Sequence, residues 1–388
     1  MSSIAFFCIP AHGHTNPTLP VVRALTDQGH EVTYFSFEPF RARIEAAGAR
    51  FVPCDGYDIQ MDASGAAVST DIAVATELIV KATLSMEADV LRQLEALKPD
   101  VVVADSMAFW GKLFAGKLGI PCVCSTTTFA FNRYSSRIMK QGLGDLIKLM
   151  IKLPRTRRML KPLRDKGYPA ENILSIVQND NDTDTVVYTS PEFQPNADTF
   201  SDRYAFVGPC IREAGTAVEK TDRPLVYVSM GTVMDGEEEF CRRCVDALAG
   251  RYDLILSMGS QAAVDALGAL PEGVRAFPSV DQIAVLKSAD AFITHCGMNS
   301  VSEALWFGVP PVMRPLTPEQ GGVATRVAEL GAGVRLERED AASIRAAVDR
   351  ALSDETVHRG VKAISESFRR CGGAKAAAEA IVRRGIRQ

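Results

Sequence analysis

The chain has 388 residues, room for two or three domains at roughly 100 to 200 residues each. It is 47% hydrophobic and 23% charged, as in globular proteins with large cores, and its net charge of -4 without a basic block argues against nucleic acid or an anionic membrane as main partner. No apolar run approaches the ~18 residues of a membrane span, and the start, MSSIAFFCIPAHGH, lacks the cationic region and cleavage site of a signal peptide, so the expected location is cytoplasmic.

The first third alternates strands and helices. SIAFFCI reads as a strand, and NPTLPVVRALTDQGH as a helix with Asn16 as cap, Pro17 at its first position and Gly29 at its end. EVTYFSF, RFVPC, PDVVVADS and IPCVCST are further strands, separated by the helical runs PFRARIEAAG, ATELIVKATLSMEADVLRQLEAL and FWGKLFAGKLG. Continuous apolar strands between helices predict a parallel, doubly wound sheet. Residues 132–178 are basic, helical and less regular, and TDTVVYTSPEFQP resumes the pattern. YAFVGPCIREAGTAVEKTDRPL carries Gly, Pro and charges without periodicity and reads as linker, which gives a first domain at 1–208, a linker at 209–223 and a second domain at 224–372. The second half restarts the alternation with the strands PLVYVSMG, YDLILSMG, GVRAFPS, ADAFITH, VPPVMRP and GAGVRLE. The final helix, 373–388, is expected to pack back on the first domain. Two such domains would face each other across a cleft, where doubly wound folds bind ligands.

Nine cysteines, an odd number, are scattered through these elements without a second pair at zinc spacing, and read as reduced buried thiols. NDNDTDT places Asp180, Asp182 and Asp184 at alternate positions. A calcium loop of that pattern needs Gly sixth and Glu twelfth, and here those are Thr185 and Pro191, so a solvated loop is expected and no metal site.

The densest signal is ADAFITHCGMNSVSEALWFGVPPVMRPLTPEQ, residues 289–320. A strand ends at Thr294-His295, Cys296-Gly297-Met298 turn the chain, and a helix starts at Asn299-Ser300. Open N–H groups and the positive dipole end there make an anion site, to which His295, Asn299 and Ser300 add donors. Glu303, one turn on, is placed to accept ribose hydroxyls. Ser300-x-x-Glu303 is equally a capping box, which leaves a purely structural reading open. VYVSMGT ends a second strand in a glycine turn with Ser229, Gly231 and Thr232 at its tip; alone it reads equally as an ordinary strand-to-helix turn, but two such tips can clamp a diphosphate.

The run from Phe277 to Gln320 resembles the nucleotide-sugar signature of family 1 glycosyltransferases, with SVDQIAVL, THCGMNSVSEAL, GVPPV and PEQ in the family's order. GHTNPTLPVVRALTDQGHEVTY and PDVVVADSMAFWGKLFAGKLGIP resemble the same family's first domain, and the likeness is to its short bacterial, macrolide-type members. The resemblance implies the α/β fold called GT-B, two Rossmann-like domains with the donor mostly in the second. It implies that Val280 reads the base edge through its backbone, Gln282 contacts the nucleoside and Glu303 the ribose. His295, Gly297, Asn299 and Ser300, with Gly231 and Thr232 of the other tip, correspond to the phosphate site, and Glu319 and Gln320 to the pair holding sugar hydroxyls. Plant members carry Trp and Pro where this chain has Ser279 and Asp281, so the base-stacking face is missing at 279, and uracil and thymine both stay open.

Glycosyl transfer to a hydroxyl needs a base and a stabilised diphosphate. The diphosphate leaves without a general acid if its charge is met, and a helix start can meet it without a metal. His14 fits the base, at a helix start that disfavours imidazolium, and Asp105, ending its strand at the same sheet edge, fits the carboxylate that orients it. The resemblance assigns the same two residues, and attack opposite the leaving group inverts the anomeric centre. His12 is either an acceptor contact or an incidental loop residue. Met61, Met107, Phe109, Trp110, Phe129, Phe131 and Met139 suit a flat apolar acceptor or, equally, a core. The expected activity is a metal-independent hexosyltransferase, monomer or weak dimer, moving glucose from a UDP-sugar to a flavonoid, phenol or macrolide. A TDP-deoxysugar transferase, a nucleotide-sugar epimerase or hydrolase, and a non-catalytic nucleotide-sugar-binding partner are the alternatives.

Overall fold

A computed structural model of the chain describes residues 1–54, 72–132, 134, 152–177, 183–213, 215–231 and 236–385. The chain divides into two units, Met1–Ile211 with Cys371–Gln388, and Arg212–Arg370.

The first unit runs β1 (Ser3–Phe7), α1 (His12–Asp27), β2 (Glu31–Ser36), α2 (Arg41–Ala46), β3 (Arg50–Pro53), α3 (Ile72–Leu97), β4 (Val101–Asp105), α4 (Phe109–Leu118), β5 (Cys122–Thr126), α5 (Lys161–Asp165), α6 (Ile173–Val177), β6 (Thr185–Val187) and β7 (Tyr204–Phe206). Among the described residues these strands form a parallel seven-stranded sheet in the order β3-β2-β1-β4-β5-β6-β7. The order reverses between β1 and β4. Both faces are covered, which is why the strands read as unbroken apolar runs. Ile4, Phe6 and Cys8 point to the layer containing α1, and Ala5, Phe7 and Ile9 to the layer containing α3 and α4. Stacked rings join β1 to β2 on each face, Phe6 on Tyr34 at 5.3 Å and Phe7 on Phe35 at 4.5 Å.

The second unit runs β8 (Leu225–Ser229), α7 (Glu238–Leu248), β9 (Asp253–Ser257), α8 (Gln261–Ala266), β10 (Val274–Phe277), α9 (Gln282–Leu286), β11 (Ala291–Thr294), α10 (Met298–Trp306), β12 (Pro311–Met313), α11 (Pro318–Glu329), β13 (Val334–Arg335), α12 (Ala341–Ser353) and α13 (Glu355–Arg370). Its sheet has the parallel order β10-β9-β8-β11-β12-β13, reversing between β8 and β11.

The last helix, α14 (Gly373–Gly385), belongs to the first unit. Ala377, Ala378, Ala380 and Ile381 enter the core beside Val21, Val22 and Val103. Gly385 lies so close to β4 that a Cβ there would stand 2.2 Å from Val101. Arg384 pairs with Asp184 at 3.5 Å, and Asp184 also pairs with Arg203 at 3.1 Å. The alternating acidic run thus contributes Asp184 to an ion-pair cluster that holds this helix; Asp180 and Asp182 lie outside the described residues.

Two local expectations are corrected. α1 starts at His12, not at Pro17: the amides of His14 and Thr15 both bond the Ala11 carbonyl, at 3.0 and 2.9 Å. Pro17 and Pro20 therefore lie inside a helix that began a turn earlier, each giving up its amide bond and crowding the carbonyl four residues back. Tyr204–Phe206, read as linker, is the sheet's edge strand, with Tyr204 buried beside Ala130 and Val187. Three residues are too few to show a period.

Candidate active site

Parallel pairing of Phe7 with Ala104 brings the exit of β1 and the end of β4 to one sheet edge, at the reversal in strand order. His14 stands there in the first turn of α1. Its Nδ1 lies 2.8 Å from Asp105 Oδ2. Asp105 is 2% exposed, and its Oδ1 accepts the Met107 amide at 3.0 Å, so both carboxylate oxygens are engaged. β5 pairs Ser125 with Asp105 and delivers Thr127 just beyond, with Oγ1 3.1 Å from His14 Nδ1. With Nδ1 donating to Asp105, Nε2 is the ring nitrogen that accepts a proton. His14 and Asp105 are thus together, as expected from their strands. Thr127 was not anticipated; its only sequence signal is a hydroxyl just past a strand end.

The proposed acceptor residues separate. Phe109, Trp110 and Phe129 are buried in the core, because the helix and loop carrying them face the sheet rather than solvent. Met107 is half-buried and Phe131 is exposed. His12 sits edge-on to Phe40 with centroids 5.0 Å apart, and its Nδ1 is 3.1 Å from Arg43 Nη1. Burial, with Arg43 beside it, holds its imidazole below the ordinary value. Met61 and Met139 lie outside the described residues.

In the second unit, Thr294 pairs with Ser229, so the tips of β8 and β11 are neighbours at that sheet's reversal. His295 lies against two glycines. A Cβ on Gly231 would stand 2.9 Å from its ring and one on Gly297 2.8 Å from its Nε2. Gly231 also has φ +88, which any side chain would strain. Cys296 takes φ +69, an uncommon left-handed turn for a non-glycine, stabilised by its amide bonding Thr294 Oγ1 at 3.2 Å. Burial holds the His295 imidazole below its ordinary value, so it stays neutral. α10 begins at Met298 behind Gly297, with no side-chain cap, so the capping-box reading of Ser300 and Glu303 does not hold. Asn299 and Ser300 instead stand in the first turn, where helix N–H groups point outward.

Glu303 bonds sideways. Its Oε2 accepts from Gln282 Nε2 at 2.6 Å, and the same nitrogen lies 3.4 Å from Ser300 Oγ. Burial pushes the Glu303 carboxyl up. Val280, just before, packs on the core containing Tyr227 and Phe292. Asp281, a departure from the plant pattern, binds Arg212 at 2.6 Å and the Gly215 amide at 3.0 Å, fixing the segment that leads into β8. Gln320 forms a capping box with Thr317 at the start of α11, its Oε1 accepting from the amides of Leu316 and Thr317, while Glu319 is exposed. Thr232 lies outside the described residues. Sequence reading also missed Arg314, which follows β12 and binds Glu237 at 2.5 Å and Glu339 at 2.6 Å with its guanidinium 4.2 Å over Phe240. No group of three His, Cys, Asp or Glu that could hold a metal occurs among the described residues, and no described helix is long and apolar enough to cross a membrane.

Comparison with known proteins gives a consistent picture. Residues 245–370 match the family model for the erythromycin biosynthesis protein CIII-like C-terminal domain. The chain is 32% identical to the uncharacterized UDP-glucosyltransferase YdhE of Bacillus subtilis, over 96% of this chain and 95% of that one. It is 34% identical to demethyllactenocin mycarosyltransferase of Streptomyces fradiae, over 98% and 86%. The crystal structure of the calicheamicin glycosyltransferase CalG4 superposes with a TM-score of 0.82 at 28% identity, covering 99% of each chain. Two all-parallel Rossmann-like units, the signature run from 277 to 320 and these relatives together lead to one conclusion: the chain belongs to the family 1 glycosyltransferases of macrolide type, with the GT-B fold.

Proposed function

We propose that this glycosyltransferase inverts the anomeric centre while moving glucose from UDP-glucose to a hydroxyl of an apolar small molecule, such as a phenol, flavonoid or macrolide. The observation that carries the reading is the 2.8 Å bond from His14 Nδ1 to a buried Asp105 at the strand-order reversal. The acceptor hydroxyl gives its proton to His14 Nε2, and its oxygen forms the new bond to sugar C1. The bond from C1 to the diphosphate breaks, and its electron pair leaves on the diphosphate oxygen. Asp105 stabilises the imidazolium that results, the role of the carboxylate in a Ser-His-Asp triad. A positioned base of this kind contributes about 10²- to 10⁴-fold.

His295, Asn299, Ser300, the glycine tips and the amides opening α10 take the diphosphate in this reading, with no metal required. Glu303 and Gln282 take the nucleoside, and Glu319 and Gln320 the sugar. The name of the Bacillus relative supports UDP-glucose; that of the Streptomyces relative supports a deoxysugar, so TDP-sugar remains the second reading. Nine free thiols support a reducing, cytoplasmic location.

The test is mass spectrometry of products from UDP-glucose, UDP-galactose and TDP-glucose against a mixed panel of phenols and macrolides, with and without chelator. Glucosides from UDP-glucose in the presence of chelator are expected. No glycoside and no released nucleotide with any donor would sink the proposal, and chelator-sensitive transfer would sink its metal-free part.

A further inference from the structure

Tyr227 enters none of these steps. It lies mid-strand in β8, 1% exposed, its ring stacked on Phe292 with centroids 4.6 Å apart. A phenyl ring would serve that packing equally. The hydroxyl does something else: it donates to Gln282 Oε1 at 3.3 Å. Gln282 in turn donates through Nε2 to Glu303 at 2.6 Å and to Ser300 at 3.4 Å. A side-chain amide has one accepting end and one donating end. The Tyr227 hydroxyl also meets Ser229 and Ser257, and its bond to Gln282 Oε1 goes with the one amide orientation that turns a donor toward the Glu303 charge. Turned over, the amide would set its carbonyl oxygen against a carboxylate oxygen at hydrogen-bond distance. No ion pair reaches Glu303 among the described residues, and burial favours its proton. A fixed amide donor is what keeps this carboxylate an acceptor.

We propose that Tyr227 is a positioning residue for the nucleoside: it fixes the Gln282 amide donor on one oxygen of Glu303, so that the other oxygen is presented to a ribose hydroxyl. This rests on the reading of Glu303 as ribose ligand, and the test separates the two. Binding of UDP and of 2′,3′-dideoxy-UDP, which lacks both ribose hydroxyls, is measured by calorimetry on the full chain and on its Tyr227→Phe, Gln282→Met and double variants. The wild type prefers UDP. Tyr227→Phe weakens UDP binding about 3- to 10-fold, one net hydrogen bond, and leaves the dideoxy nucleotide nearly unchanged. In the Gln282→Met background the same substitution has no further effect. In turnover, the KM for the nucleotide-sugar rises more than kcat falls.

Equal losses for both nucleotides, or an undiminished loss in the Gln282→Met background, would reduce Tyr227 to a core residue and overturn the relay. If Tyr227→Phe does not stay folded, Gln282→Met alone decides, and a full preference for UDP retained there overturns it. A wild type that binds both nucleotides equally defeats the ribose reading itself.

Discussion

Both candidate sites stand at a reversal of strand order, β1 against β4 in the first unit and β8 against β11 in the second. The first is sparse: one imidazole, one buried carboxylate and one hydroxyl, gathered from residues 14, 105 and 127. The second is distributed over two glycine tips, a helix start and a chain of side-chain bonds, most of it within residues 277–320. In the proposed reading, the contrast follows from what each site handles. A proton needs a single acceptor of the right basicity. A nucleoside diphosphate presents charge and hydroxyls along its length and needs many weak donors. One topology serves both because strand ends at a reversal leave room for either kind of loop.

That contrast can be broken by substitution. The largest effect belongs to the sparse site. His14→Ala should lower kcat about 10²- to 10⁴-fold, with Asp105→Asn close behind, while calorimetry finds nucleotide affinity unchanged. A His14→Ala protein with undiminished turnover would remove the base from this unit. Next comes Gly297→Ala, whose Cβ would meet His295 Nε2 at 2.8 Å. It should weaken UDP binding about tenfold or more through one displaced donor, a loss of about 1.4 kcal/mol. Tight binding despite the added methyl would show that His295 does not touch the ligand.

Glu303→Gln sharpens the comparison differently. Removing a carboxyl that burial disfavours in its charged form should raise the melting temperature by about 2–4 °C while weakening UDP. Stability and binding moving together would contradict a site held against its own electrostatics. The smallest effect is a pH slope. Burial depresses His295, and likewise His12 and His30. The unfolded chain therefore takes up protons first as pH falls through about 6.5. Stability drops from there toward the lower folded-state values, and is full above pH 7. Chemical denaturation at pH 7.5 and 5.5 measures it, and His295→Asn should flatten part of the slope.

Much of this was legible beforehand, for definite reasons. Apolar strands alternating with helices fix a doubly wound parallel sheet, and a strand's last residue marks where its side chain emerges, so Asp105 could be set at the sheet edge of His14, where the need of a base for a carboxylate and the family resemblance paired the two. What escaped was set by tertiary context. The two prolines of α1 pointed to a later start, yet the Ala11 carbonyl gathered two amides upstream. Phe109, Trp110 and Phe129 have the composition of an acceptor surface, and only packing shows how deeply they are buried. Tyr227 reads as one more apolar strand residue in LVYVS, and nothing in the chain signals that its hydroxyl meets Gln282.

The return of α14 to the first unit orders events during synthesis. The helix supplies Ala377, Ala378 and Ile381 to a core whose other walls are made from residues 4–210. Between Ile211 and Cys371 the whole second unit must emerge, which takes about 8–30 s at about 5–20 residues per second. The contiguous second unit can therefore close first, while the sheet face carrying the α1 helix and its histidine waits, partly uncovered, for the last residues translated. The half of the protein made first is the half finished last, and a ribosome that stops early leaves the second unit closed and the first without its final helix.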